Sequence, residues 1–153
     1  MEIFGREILT ATSGDIKKVL GEHLDKVVIC METATGLSGI SNVLCIDKVQ
    51  VYCESKHKND IEKLEQVEIV KVVDFENIDI ITVDEIKCTG NVQTLKDLLD
   101  TKCDRDYGML IDTFADYYYM HDESFDELKK ELNEHQIKVL DDCMWDIEDN
   151  YKE

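Results

Sequence analysis

The hydrophobic period of this chain changes once, near Gly90, and that change limits the fold more than any motif does. Before it, apolar residues come in short β-branched runs; after it, they recur every three to four residues, as on the buried stripe of a helix. An α+β fold is expected, with a mainly antiparallel sheet in 1–88 followed by three C-terminal helices in 91–153. The two parts are expected to form a single domain over 1–153.

In the sheet-rich part, Thr12 or Ser13 can cap a short helix whose residues Ile16, Val19, Leu20 and Leu24 share one side. Strands are expected over 26–32, 42–46 and 48–54. The last alternates Val49, Val51 and Cys53 with Lys48, Gln50, Tyr52 and Glu54. The connections are too short for crossover helices, which predicts an antiparallel meander. Asn59 can start a helix through Leu64, and two β-branched runs, 67–75 and 78–83, read as further strands. Beyond Gly90, helices are expected from Asn91, over 107–120, and from Ser124 almost to Tyr151. The last opens on Ser124-Phe125-Asp126-Glu127, the pattern of a capping box.

Charge restricts the partners. With 17 Lys+Arg against 35 Asp+Glu, the chain carries a formal charge of −18. Phosphate backbones and anionic lipids are repelled, and Arg6 and Arg105, the only arginines, cannot form a fork-shaped phosphate clamp. Direct nucleic-acid binding and membrane association are not expected. No apolar run is long enough to span a bilayer, and the first residues lack the basic segment and apolar core of a secretion signal, so a cytoplasmic protein is expected. Its six cysteines then read as reduced thiols.

Catalytic and metal chemistry leave little trace. There is no C-x-x-C and no H-E-x-x-H; the nearest metal pattern is Glu131 with His135 at i, i+4, near His121 and Asp122, and solvated residues explain it better. No cofactor and no metal are expected. Thr33 to Ser41 is rich in small hydroxylated residues and reads as a strand connection, able at most to form an anion nest around Gly36 and Gly39. No Cys–His pair or carboxylate pair is singled out, so no catalytic residue is assigned.

The final helix carries the strongest signal. At about 100° per residue, its apolar side chains fill one continuous arc. The opposite arc holds Glu127, Glu131, Glu134, Asp141, Asp142, Asp146 and Asp149, interrupted by Lys138, His135 and Trp145, the only tryptophan. Neighbouring like charges at i, i+3 and i, i+4 oppose the helix, with no lysine nearby to relieve them. Two readings of Trp145 stand: an interface anchor among steering charges, or a ring packed beneath the sheet or the preceding helix. In Tyr117-Tyr118-Tyr119, the first two tyrosines share a face with Leu110, Ile111 and Phe114. Tyr119 falls beside Asp112 and Asp116 and is expected at the surface.

These features predict a non-enzymatic acidic protein that occupies a basic site on a partner protein. The expected kind is an inhibitor or immunity-type protein of a phage or toxin system, acting on a nuclease or other nucleic-acid enzyme. The expected partner-binding residues are Trp145, Asp141, Asp142, Asp146, Asp149, Glu131, Glu134 and Tyr119. The alternatives are a small enzyme or ligand-binding domain using the Gly36–Gly39 segment, and a structural subunit.

Overall fold

A computed structural model of the chain describes residues 2–3, 6–7, 9–40, 46–100, 107–120 and 124–150, with side chains described at 9–40, 46–100, 111–120 and 124–145. The chain divides into two compact units, Met1–Thr94 and Leu95–Glu153. The fold is α+β.

The first unit opens with a short antiparallel pair, β1 (Glu2–Ile3) and β2 (Arg6–Glu7). Helix α1 (Ser13–Leu20) follows. Thr12 is its N-cap, and Thr10 donates to the Asp15 carboxylate through both its N–H (2.9 Å) and its hydroxyl (2.7 Å). Ile16 and Leu20 are buried on the helix's inner side.

Next come β3 (Val27–Ile29), α2 (Met31–Ser38), β4 (Val49–Cys53), α3 (Lys58–Ile61), β5 (Val67–Val72), β6 (Ile80–Val83) and β7 (Ile86–Thr89). The sheet order is β5-β4-β3-β7-β6. It is mixed: β3–β4 and β6–β7 are antiparallel, whereas β4–β5 and β3–β7 are parallel. The mainly antiparallel sheet expected over 1–88 is therefore corrected to a mixed one. Within 26–54, β3 and β4 do pair antiparallel; the first parallel pair arises after 54–66, where a single 3-10 turn (Ser55–His57) and the one-turn α3 return the chain in its original direction. Val27, Ile29, Val49, Val51, Cys53, Ile86 and Cys88 form a common core with Ile16, Leu20 and Ile61.

The segment after β3 departs furthest from expectation. Residues 31–38 form a helix, not the expected strand end and loop, although Thr and Gly are poor helix formers. Tertiary contacts override that propensity. No side chain at the start of α2 caps it, and Gln50 of β4 does so instead: its Oε1 accepts from the Thr33 N–H (3.2 Å) and hydroxyl (3.3 Å). Thr33 Oγ1 in turn accepts from the Gln50 N–H at 3.2 Å. Gln50 and Tyr52, which alternation assigns to solvent, are both buried. Gly36 lies in the last turn, and Gly39 ends α2 at φ 82°, the left-handed conformation glycine adopts without cost. The expected strand over 42–46 falls mostly outside the described residues; Ile46 bridges to Leu9.

Helix α4 (Asn91–Asp100) starts where the sequence predicts. Its first turn is held by the buried Thr89 and Thr94 hydroxyls, 2.5 Å apart, and by Thr94 Oγ1 donating to the Gly90 carbonyl at 2.9 Å. The Asp79 carboxyl lies where a Cβ on Gly90 would sit, so this position requires glycine unless that side chain moves. The boundary between the two units falls within α4.

In the second unit, α5 (Tyr107–Met120) is followed by α6 (Asp126–Lys129) and α7 (Glu134–Asn150). Four C-terminal helices are thus present among the described residues where three were expected, because the last one is split. The Ser124–Glu127 capping box does not form. Ser124 Oγ accepts from the Asp126 N–H (3.1 Å), and Glu127 pairs with Lys130 (2.9 Å). A reciprocal cap forms instead at Asn133 and Gln136. Asn133 Oδ1 accepts from the Gln136 N–H (2.8 Å), and Gln136 Oε1 from the Asn133 N–H (2.9 Å). Gln136 also donates to Asp100 at 3.1 Å. Phe125 packs against Phe114, Tyr117 and Tyr118, stacking on Tyr117 with ring centroids 6.0 Å apart.

Candidate protein-binding surface

Helix α7 has two unlike sides. Gln136, Val139, Leu140 and Cys143 are buried. Glu134, His135, Lys138, Asp141 and Asp142 are exposed, as the helical period predicts for charged residues that share the opposite arc. Trp145, for which the period left two readings open, is exposed with them. Trp145 is 74% exposed. Leaving so large an aromatic ring in water forgoes on the order of 2 kcal/mol of available burial.

The split between α6 and α7 changes the membership of the acidic face. Glu131 is exposed in the turn between the two helices, and Glu127 belongs to α6; neither follows the α7 wheel. Glu134 opens α7, where its charge suits the positive end of the helix dipole. Asp146 and Asp149 lie near the opposite end, with no basic residue in the last turn, where a negative charge is disfavoured. Their side chains lie outside the described residues. Asp141 is paired with Lys129 of α6 at 2.7 Å. Both partners are partly exposed, so this pair contributes at most about 1 kcal/mol.

Tyr119 is 47% exposed near the end of α5, its ring edge-on to Tyr118, and Met120 beside it is 66% exposed. Tyr117 is buried, and that burial raises its hydroxyl above the usual tyrosine range, with Glu127 adding to the rise.

Cys30, Cys53, Cys88 and Cys143 are buried and not disulfide-bonded; Cys45 and Cys103 lie outside the described residues. Burial pushes the Cys88 thiol up to about 11 and raises that of Cys53, which disfavours the nucleophilic thiolate. Among the described residues, no three His, Cys, Asp or Glu side chains are placed to hold a metal ion. His135 and Glu131 are exposed, and His121 and Asp122 lie outside the described residues. Also among the described residues, no helix is long and apolar enough to cross a membrane. Gly36 to Gly39, expected as a loop, instead closes α2.

No protein-family model, no curated protein and no solved structure matches this chain.

Proposed function

We propose that this chain is a non-enzymatic acidic binding protein that occupies a basic site on a partner protein, as an inhibitor or immunity-type protein of a phage or toxin system would on a nuclease. The observation that carries the reading is the 74% exposure of Trp145 on a helix face that also exposes Glu134, Asp141 and Asp142. Long-range attraction from these carboxylates would orient a basic partner, and the indole would then fill a pocket on it. A surface with that charge competes with phosphate for the same cationic groove, which is why a nucleic-acid enzyme is the partner class favoured.

Affinity capture from the native host or its phage-infected cells, with mass spectrometry, supplies the partner. The test is what two variants do to that complex. Trp145→Ala should leave the melting temperature unchanged and speed dissociation, costing about 2 kcal/mol or more if the ring is a buried hot spot in the complex. Reversing Asp141 and Asp142 to Lys should slow association and flatten its salt dependence. Full affinity in both variants would place the interface elsewhere. An inhibitor must also block cleavage or nucleic-acid binding in competition with substrate; a complex that leaves activity intact overturns the inhibitor reading.

A further inference from the structure

The sheet has two outer strands, and they are built differently. Strand β5 is interrupted by a bulge at Val70, since Val51 pairs with Ile69 and Tyr52 with Lys71, and it exposes Glu68 and Lys71 along its length. Bulges and charges within a strand are the usual devices that stop an edge from recruiting another strand. Strand β6 has neither. It is regular, uncharged from Ile80 to Val83, and exposes Ile81 and Thr82.

The ladder fixes which backbone groups of β6 face outward. In the two-residue hairpin joining β6 to β7, Val83 and Ile86 close the turn as a hydrogen-bonded pair, so pairs alternate from there. The Gly90 N–H donating to the Asp79 carbonyl (2.9 Å) keeps the same alternation. Ile80 and Thr82 therefore occupy non-hydrogen-bonded positions and turn their N–H and C=O groups away from β7. Among the described residues no strand lies beyond them.

Charge brackets this edge. Asp79 precedes it and Asp84 and Glu85 follow it, all exposed. Lys87, opposite Thr82 on β7, is engaged with the Asp25 carbonyl (2.9 Å) and lies over the Phe75 ring. Carboxylates at both ends of an uncharged open edge repel a second acidic edge, including that of another copy of this chain, and attract an extended segment with basic ends.

We infer that the free edge of β6 is a docking site for an extended, Lys- or Arg-flanked segment of another protein, which adds to the sheet as a sixth strand through the outward backbone groups of Ile80 and Thr82. This surface goes beyond the proposed role of α7 and does not depend on Trp145.

The probe is a blocked synthetic peptide with lysines at both ends of an alternating Val and Thr core, compared with its twin ended by glutamates. The lysine peptide should bind, the twin at least about tenfold more weakly, and binding should slow amide exchange at Ile80 and Thr82 selectively. Thr82→Pro removes an outward N–H that β7 does not use, so it should keep the fold and weaken binding about tenfold or more. Should that variant not fold, Asp84→Lys with Glu85→Lys gives the second test and should abolish the preference for the lysine peptide. Trp145→Ala should bind the peptide as the parent does. The inference is overturned if the lysine peptide fails to bind, if both peptides bind alike, if exchange at Ile80 and Thr82 is unaffected, or if Trp145→Ala loses the peptide. It is overturned equally if the edge is occupied by a second copy, seen as a dimer that protects the same two amides.

Discussion

Asp84 and Glu85 join β6 to β7 with positive φ at both positions, 49° and 71°, in a turn for which Asn and Gly are the favoured residues. Glu85 thus accepts a Cβ penalty of about 1 kcal/mol. Glu85→Gly should raise the urea midpoint, by the relieved penalty less what glycine's freedom costs in the unfolded chain; a lowered midpoint, as glycine's freedom alone would give, would show that the turn carries no such strain. Thr10 illustrates a titrating contact. Its hydroxyl and N–H hold the Asp15 carboxyl below the ordinary carboxylate value. A carboxyl depressed in the folded state adds stability that is complete above its unfolded value, about 4, and is lost as pH falls through the folded one. The stability gap between the parent and Thr10→Val should therefore be widest near neutral pH and narrow below about pH 4. Denaturation midpoints at a series of pH values would test this; a constant gap refutes it. At this scale the sequence was partly legible. The exposed charged positions on α7 follow from period alone, whereas the period left Trp145 undecided and Gln50 reads as a solvent residue until the helix that it caps is present.

Helix ends show why element boundaries were harder to read than helices themselves. The start of α4 at Asn91 and the span of α5 follow the apolar period, but the break at 130–133 does not interrupt it, because Leu128, Leu132 and Val139 still suit one continuous stripe. The reciprocal cap that forms is Asn133 with Gln136, a pair not singled out from the sequence, and its geometry satisfies both residues' N–H groups at once. Gln136→Ala should cost on the order of 1–2 kcal/mol, since it removes a cap and a bond to Asp100. Because the two caps are reciprocal, Asn133→Ala combined with Gln136→Ala should cost less than the separate losses added together. Strict additivity in thermal or urea melts would show that the two residues act independently. Helix α2 was invisible for the opposite reason, since its small hydroxylated residues prefer other conformations until β4 supplies the missing cap.

For the molecule as a whole, a charge of −18 repels itself in the folded state more than in the expanded chain. Raising NaCl from about 0.02 M to about 0.5 M shrinks the screening length severalfold and should raise the melting temperature; a fall or no change would mean that ion pairs such as Lys129 with Asp141 outweigh the repulsion. The α+β class was legible from the change of period, because local sequence decides it. Strand order was not, because parallel partners are chosen by distant segments. That long-range pairing sets a timetable for synthesis. Strand β3 can meet β4 early, yet its other side waits for β7, roughly 60 residues further on, which at about 5–20 residues per second is some 3–12 s of elongation. Throughout that interval Val27, Val28 and Ile29, fully buried in the finished protein, have one open flank on the nascent chain. The β6–β7 hairpin closes this gap as it emerges, so the last strand pair to be made completes the centre of the sheet.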